Sequence, residues 1–202
     1  MIHFEAQNHR YTVDGVRWPS VTELIEYAGL VSVFCKKPFY AERGRFAHKA
    51  IELDIRGSLD EATVDPQVRP YLDGWRSFCR AADVEVVYHN LIVSDPVLRY
   101  AGTLDVAVRM NHRSLIWVID VKAGAKAKWH PIQAWMYANA LAREIKQPCW
   151  WGNLYLKDGR FNWKPSDTDY MEVARNISEK WWAAHGERSI DPGQKSMRDL
   201  WG

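Results

Sequence analysis

Residues 115–137 read LIWVIDVKAGAKAKWHPIQAWMY, and this stretch decides the fold. The apolar run Leu115, Ile116, Trp117, Val118 and Ile119 is the pattern of a buried strand. Asp120 and Lys122 follow two apart, so in an extended strand both side chains leave the same face. A carboxylate and an ammonium at the mouth of a buried strand cost free energy unless they pair or bind something. The plain alternative is a strand-end ion pair on a solvated rim, which is worth little. Gly124 breaks the strand, and Lys126, Lys128 and His130 form a basic crossing. Pro131 suits the first turn of the next helix. On that helix Gln133 and Tyr137 are four apart and share a face.

The chain has 202 residues, enough for one domain with a sizeable core and a small N-terminal addition. Apolar residues make up 47% and charged residues 26%, the balance of an ordinary soluble globular protein. A net charge of +2 is too small to argue for nucleic acid by itself, so any basic surface has to be local. Eleven tryptophans are more than usual for this length and leave some for ligand stacking beyond the core. Cys35, Cys79 and Cys149 are isolated and odd in number, with no CxxC spacing. That pattern supports neither a zinc or cluster site nor a disulfide framework. Residues 1–10, MIHFEAQNHR, lack the apolar core of a signal peptide, and no apolar run reaches membrane-spanning length. A cytoplasmic location and no membrane partner are expected.

Outside the deciding stretch, residues 3–13 alternate in short pieces and Asp14-Gly15 marks a turn, a hairpin-like start. Ser20 or Thr22 caps a helix through VTELIEYAGL, which Gly29 ends. Residues 38–56 form a second helix with apolar positions at Phe39, Phe46, Ala47, Ala50, Ile51 and Ile55. Gly44, His48 and Glu52 are spaced by four and line one face of it. A glycine inside a helix costs roughly 1 kcal/mol relative to alanine, which suggests close approach by a backbone or a ligand. For His48 alone, a histidine hydrogen-bonded within the core is the plain alternative. Residues 68–82 form a third helix with Tyr71, Leu72, Trp75, Phe78 and Cys79 inward. Residues 84–93, 99–110 and the Leu115 run form an antiparallel meander. In its second strand Leu104, Val106 and Val108 carry one face, leaving Asp105 and Ala107 on the other. A further strand spans residues 149–156, FNW is a short strand beyond a turn, and residues 167–185 form a last helix. The tail beyond is polar and its role is not readable.

His48, Asp105 and Asp120 come from three elements that can converge on one point. Two carboxylates and one imidazole suit magnesium or manganese better than zinc or copper. A lysine two residues from such a carboxylate can orient a water or stabilise charge on a phosphate.

The motifs GRFAHKAIE, AGTLD, DVK and QAWMY, in this order, resemble the RecB-like branch of the PD-(D/E)XK nuclease superfamily. The opening HRYTVDGVRWPSVTELI is similar to the start of phage- and prophage-encoded exonucleases of that group. The resemblance covers roughly residues 9–156. It implies an α/β restriction-endonuclease-like core, a mixed sheet of about four strands flanked by helices, with helical N-terminal decoration. The expected organisation is one nuclease domain over residues 1–202: a cap over 1–35, the core over 36–186 and a tail over 187–202.

Carried over residue by residue, His48, Asp105 and Asp120 match the family's ligands to Mg2+ or Mn2+, with the Val121 carbonyl completing the shell. Lys122 matches the catalytic lysine. Gln133 and Tyr137 match the motif assigned to DNA contact and active-site support, and Glu52 stands behind the ligands. Arg45, Lys126 and Lys128, with Lys36, Lys37 and Arg43, are candidates for phosphate contact. Trp129, Trp135, Trp150 and Trp151 are candidates for base stacking. The chain departs from many relatives by having His89 and Asn90 where they carry a Glu, which leaves a second metal loosely held. It also lacks the four-cysteine pattern of relatives with an iron-sulfur cluster, so no cluster is expected. The implied activity is metal-dependent exonucleolytic hydrolysis of DNA, preferring ends or single strands. It would serve recombination, repair or phage DNA processing in a bacterial or phage-infected cell, beside a single-strand annealing or recombination protein. A structure-specific endonuclease, or an accessory DNA-binding protein that does not cleave, is the alternative.

Overall fold

A computed structural model of the chain describes residues 1–31 and 38–186, without the side chains of 38–41. Cys35, Lys36, Lys37, the Phe39 side chain and the tail over 187–202 lie outside the described residues. The described elements run β1 (Ile2–Glu5), β2 (Arg10–Val13), β3 (Val16–Trp18), α1 (Val21–Tyr27), α2 (Pro38–Ile55), α3 (Arg69–Ala81), β4 (Val84–Asp95), β5 (Tyr100–Met110), β6 (Ile116–Lys122), α4 (His130–Ile145), β7 (Cys149–Lys157), β8 (Arg160–Ser166) and α5 (Met171–His185).

The architecture is α/β. A five-stranded sheet has the order β4-β5-β6-β7-β8, and a separate three-stranded sheet has the order β1-β2-β3. All pairings are antiparallel except β6 with β7, which are parallel and joined through α4. That single crossover makes the large sheet mixed, because parallel neighbours need a long connection while antiparallel ones need only a turn. The sheet has one strand more than the expected four or so. The short FNW segment extends through Ser166, and Pro165 is tolerated because β8 is an edge strand. The N-terminal addition is not mainly helical. It is a β meander followed by the short α1, and Asp14 (φ 50°) and Gly15 (φ 79°) make the left-handed turn between β2 and β3. Ser20 caps α1, accepting from Glu23 N at 3.0 Å.

Two apolar layers sandwich the large sheet. On one face Val118 and Ala107 pack with Leu24, Met136, Leu141 and Trp181 from α1, α4 and α5. On the other, Val106, Val108, Ile119 and Leu154 pack with Ala47, Ile51, Leu72, Trp75 and Phe78 from α2 and α3. Each fully buried large apolar side chain stabilises the fold by roughly 1.5–3 kcal/mol. Two expectations about facing fail. Phe46 is 57% exposed rather than inward. Leu104 packs with the α4 layer, whereas Val106 and Val108 pack with the α2 and α3 layer. The alternation of β5 is therefore interrupted around Asp105. Across from it on β4, Asn90 has a left-handed backbone (φ 46°) between the pairs His89↔Val106 and Leu91↔Leu104.

A buried carboxylate fixes the far end of α4. Asp95 is fully buried and accepts from Val97 N at 2.7 Å, Leu98 N at 2.9 Å and Arg143 Nε at 3.0 Å, and also from Asn139. The Tyr100 hydroxyl donates to the Met136 carbonyl at 2.8 Å beside it. No helix among the described residues is long and apolar enough to cross a membrane.

Removing one partner of such a network leaves the others unsatisfied in the interior. Asp95→Ala should lower the unfolding free energy by about 2–4 kcal/mol. Urea titration of parent and variant measures this; an unchanged midpoint would show that water replaces the carboxylate without cost.

Candidate active site at the end of the β5–β6 pairing

The last paired residues of β5 and β6 are Val106 and Ile119, and Asp105 and Asp120 follow immediately where the strands part. Parting frees the strand edge. The Val121 N–H, having no β5 carbonyl to pair with, donates to Asp105 Oδ2 at 2.8 Å. In a strand the N–H and C=O of one residue leave by the same edge, so the Val121 carbonyl is directed to the same side. On the other edge of β6, Asp120 is in register with Asn153 and Lys122 with Tyr155.

The Asp120 side chain is 2% exposed and that of Lys122 16%. The pair is a salt bridge, with Nζ 2.9 Å from Oδ1 and 2.8 Å from Oδ2, but it is not on a solvated rim. Lys122 Nζ also donates to Gln133 Oε1 at 2.7 Å. An ammonium has only protons to offer, so it fixes the Gln133 amide with its oxygen toward Lys122. The Gln133 nitrogen then reaches the Tyr137 hydroxyl and Thr22 Oγ1, each at 3.3 Å. Asn153 Nδ2 donates to Asp120 Oδ2 at 2.7 Å and to the His130 carbonyl at 3.2 Å. His48 reaches in from α2, its Nδ1 3.1 Å from Asp105 Oδ1.

These groups shift one another's protonation. Burial pushes the Asp120 carboxyl up to about 6; the Asp105 charge adds to the rise and Lys122 opposes it. Burial acts upward on Asp105 too, but the His48 and Lys122 charges and the Val121 N–H hold it below the usual carboxylate range. Burial acts downward on His48, yet the Asp105 carboxylate outweighs it and the imidazole sits above its ordinary value.

The cluster opens into a cleft of about 670 Å³. Of the residues singled out from sequence, Arg45, His48, Glu52, Asp105, Asp120, Lys122, Gln133 and Tyr137 all line it. Gly44, His48 and Glu52 do share one wall, as their spacing requires. Outside its own helix turn, no atom of the described residues comes within 4 Å of where a Gly44 Cβ would stand, so among them no other backbone makes the close approach that the glycine suggests. Gly102 is different: a Cβ there would lie 2.6 Å from Tyr137 Cε1, so the bare glycine lets Tyr137 reach the site. Glu52 pairs with Lys49 at 3.0 Å and Arg56 at 2.9 Å; burial acts upward on it, but Lys49, Arg56 and Asn90 hold it low.

The remaining predicted residues are not in this cleft. Val121 is 2% exposed and lines a small pocket beside it, together with His48 and Asp105. Trp129 sits behind Lys122, whose Nζ is 5.3 Å from the ring centroid. Lys126 and Lys128 line separate clefts beside β7. Trp135 is 6% exposed and belongs to the core, and Trp151 packs against that core. Trp150 is 40% exposed, but it pairs with Trp117 three positions from the site and on the opposite face from Asp120. Sequence reading misses Tyr11 and Asn153, gives Thr22 only a capping role, and marks Asn90 only as a place where relatives carry a Glu. Only Asn153 carried a local signal, an amide inside the apolar run CWWGNLYL.

A buried and a half-buried carboxylate, an imidazole and a free-edge carbonyl form a hard donor set of the kind that holds Mg2+ or Mn2+. The raised Asp120 pKa, owed in part to Asp105, marks negative charge that a cation would offset. As placed, no three His, Cys, Asp or Glu side chains among the described residues close around one point, because Lys122, Asn153 and the Val121 N–H occupy the carboxylate oxygens.

No protein-family model matches the chain, and no curated protein matches it. Among solved structures it is similar to SSO0001 in its crystal structure, at 16% identity and a TM-score of 0.34, over 86% of this chain and 83% of that one. A likeness at that level carries no argument about fold family or function.

Gly102→Ala should displace Tyr137 and lower stability by about 1–3 kcal/mol. Melting curves with the Tyr137→Ala, Gly102→Ala double variant, in which the obstructing ring is gone, test the cause: if Tyr137 is not the obstacle, the two changes will add independently.

A pH dependence follows as well. Asp120 holds its proton more tightly folded than unfolded, where a carboxyl titrates near about 4. Its contribution is therefore fully present below about pH 4 and lost as pH rises through about 6. Metal-free Asp120→Asn should show a smaller fall in melting temperature across that window than the parent. Parallel curves would remove Asp120 as the titrating group.

Proposed function

We propose that the chain is a PD-(D/E)XK nuclease of the RecB-like branch, built on a restriction-endonuclease-like core, and that it hydrolyses DNA phosphodiesters as a metal-dependent exonuclease. The observation that carries this reading is the buried Asp120, held by the largely enclosed Lys122 with the half-buried Asp105 beside it, and joined by His48 and Gln133 in one open cleft. A buried ion pair is a poor source of stability, since desolvation offsets most of the attraction. Its placement in a cleft wall, with a second carboxylate beside it, favours chemistry.

Asp105, Asp120, His48 and the Val121 carbonyl would hold Mg2+ or Mn2+, which supplies Lewis acidity and an activated water. Lys122 is fixed by Asp120 and Gln133, so its ammonium is already oriented when a phosphodiester arrives. There it orients the attacking water and offsets charge gathering on the phosphate oxygens. Gln133 holds Lys122, and Tyr137 and Thr22 hold Gln133. Arg45, exposed on the cleft wall, and the bare helix surface at Gly44 leave room for a sugar-phosphate backbone and a cation to meet it.

End-labelled linear single strands and duplexes should be degraded in Mg2+ or Mn2+ and spared after chelation, and covalently closed circles should survive far longer. Equal rates on closed circles would make the protein an endonuclease. No cleavage of any substrate would make it a binding protein.

Lys122→Ala should slow single-turnover cleavage on the order of 100- to 1000-fold while DNA affinity in calcium changes little. Weakened binding with a normal saturated rate would instead make Lys122 a docking residue.

A further inference from the structure

Two smaller clefts lie beside the candidate active site, on the far side of the crossing over residues 123–129. One, of about 570 Å³, is lined by Lys126, Tyr155, Arg160, Phe161 and Asn162 among others. The other, of about 410 Å³, is lined by Lys126, Lys128, Tyr155 and Lys164 among others. They share Lys126 and Tyr155, so they adjoin at those side chains and together make one basic groove. Register ties the groove floor to the site. Asp120 is beside Asn153 on β7, and Asn153 is beside Lys164 on β8. Lys122 is beside Tyr155, and Tyr155 is beside Asn162. Neighbouring strands lie about 4.8 Å apart, so Lys164 is about 10 Å from Asp120 across the same face of the sheet.

The charge of this groove is one-sided. Lys126, Lys128, Arg160 and Lys164 are exposed, and none has a carboxylate partner among the described residues. Asp158 is the one carboxylate in its lining, and it stands 3.9 Å from Lys157. In a chain whose net charge is only +2, four unpaired cations in one groove make a local positive field. A ring lies among them: Lys126 Nζ sits 5.3 Å from the centroid of Tyr155. Cations for phosphates interleaved with ring faces for bases are how proteins track a single strand without reading its sequence.

We infer that this groove binds one strand of nucleic acid and leads it between the catalytic carboxylates and the β8 edge. The inference rests on the nuclease reading for its direction but not for its binding. The Tyr155 ring offers a face that only an unpaired base can meet, which favours a single strand over a duplex.

The test uses the full chain and a short labelled oligothymidylate in a chelating buffer, with anisotropy read at a series of salt concentrations. Arg160→Glu with Lys164→Glu should weaken binding on the order of tenfold or more, and lower the salt slope by about 1.4, at about 0.7 per phosphate for single strands. The matched reversal Arg113→Glu with Lys180→Glu, at exposed positions away from the groove, should change both far less. Equal loss in the two double variants, or no loss in the first, would overturn the inference. So would displacement of the strand by polyglutamate or by blunt duplex at equal charge, which would make the groove a site for an acidic protein or for paired DNA. Melting curves show whether each variant folds, and Arg160→Gln with Lys164→Gln repeats the test with smaller changes. With metal present, a small phosphodiester such as bis-p-nitrophenyl phosphate cannot reach the groove and should be hydrolysed by the groove variant at the parental rate. If the parent hydrolyses neither DNA nor this ester, the nuclease reading fails while the binding comparison still decides the groove.

Discussion

Asp120 and Asp105 stand side by side at the point where β5 and β6 part, and Lys122 is the ammonium that answers them. Two carboxylates withdrawn from water repel, and the interior screens them poorly. Lys122 neutralises one. His48 and the Val121 N–H satisfy the other. Every neighbouring polar contact follows from that requirement. The ammonium fixes the Gln133 amide, the amide fixes the Tyr137 hydroxyl and Thr22, and Tyr137 demands glycine at 102. Asn153 supplies Asp120 with the donor that Lys122 cannot.

The same contacts join the layers. α1 contributes Thr22, α2 His48, β5 Asp105, β6 Asp120 and Lys122, α4 Gln133 and Tyr137, and β7 Asn153. α4 is held at both ends by polar groups, by Lys122 near its start and by Asp95 near its finish, with apolar packing between. A helix anchored in this way cannot slide along the sheet without breaking charged contacts. Polar contacts therefore hold the Lys122 and Gln133 end of the site, and Gly44 lines the cleft from α2.

Much of this was legible in the sequence, for reasons of period. Asp120 and Lys122 share a face because strands repeat every two residues; Gly44, His48 and Glu52 share one because helices repeat every 3.6. Both patterns are local, and all five residues line one cleft. What escaped was set by distant neighbours. Leu104 packs in the other layer from Val106 and Val108, opposite the left-handed Asn90 of β4, and nothing in RYAGTLDVAVRM announces it. Thr22 reads as a helix cap, but Ser20 takes that role and leaves Thr22 for Gln133, 111 positions away. The N-terminal strands are three or four residues long, too short for alternation to separate a meander from a hairpin. Phe46 fits the apolar stripe of α2 by spacing, yet the neighbouring layer does not extend to cover it.

The central claim is that the Asp105 and Asp120 pair is a cation site and not merely a buried salt bridge. Calorimetric titration of the purified protein with Mn2+, repeated on Asp105→Asn and Asp120→Asn, tests it most directly. The account predicts saturable binding to the parent and loss of that binding in both variants, with circular dichroism showing each still folded. Binding that persists unchanged in either folded variant, or no binding to the parent, would contradict it.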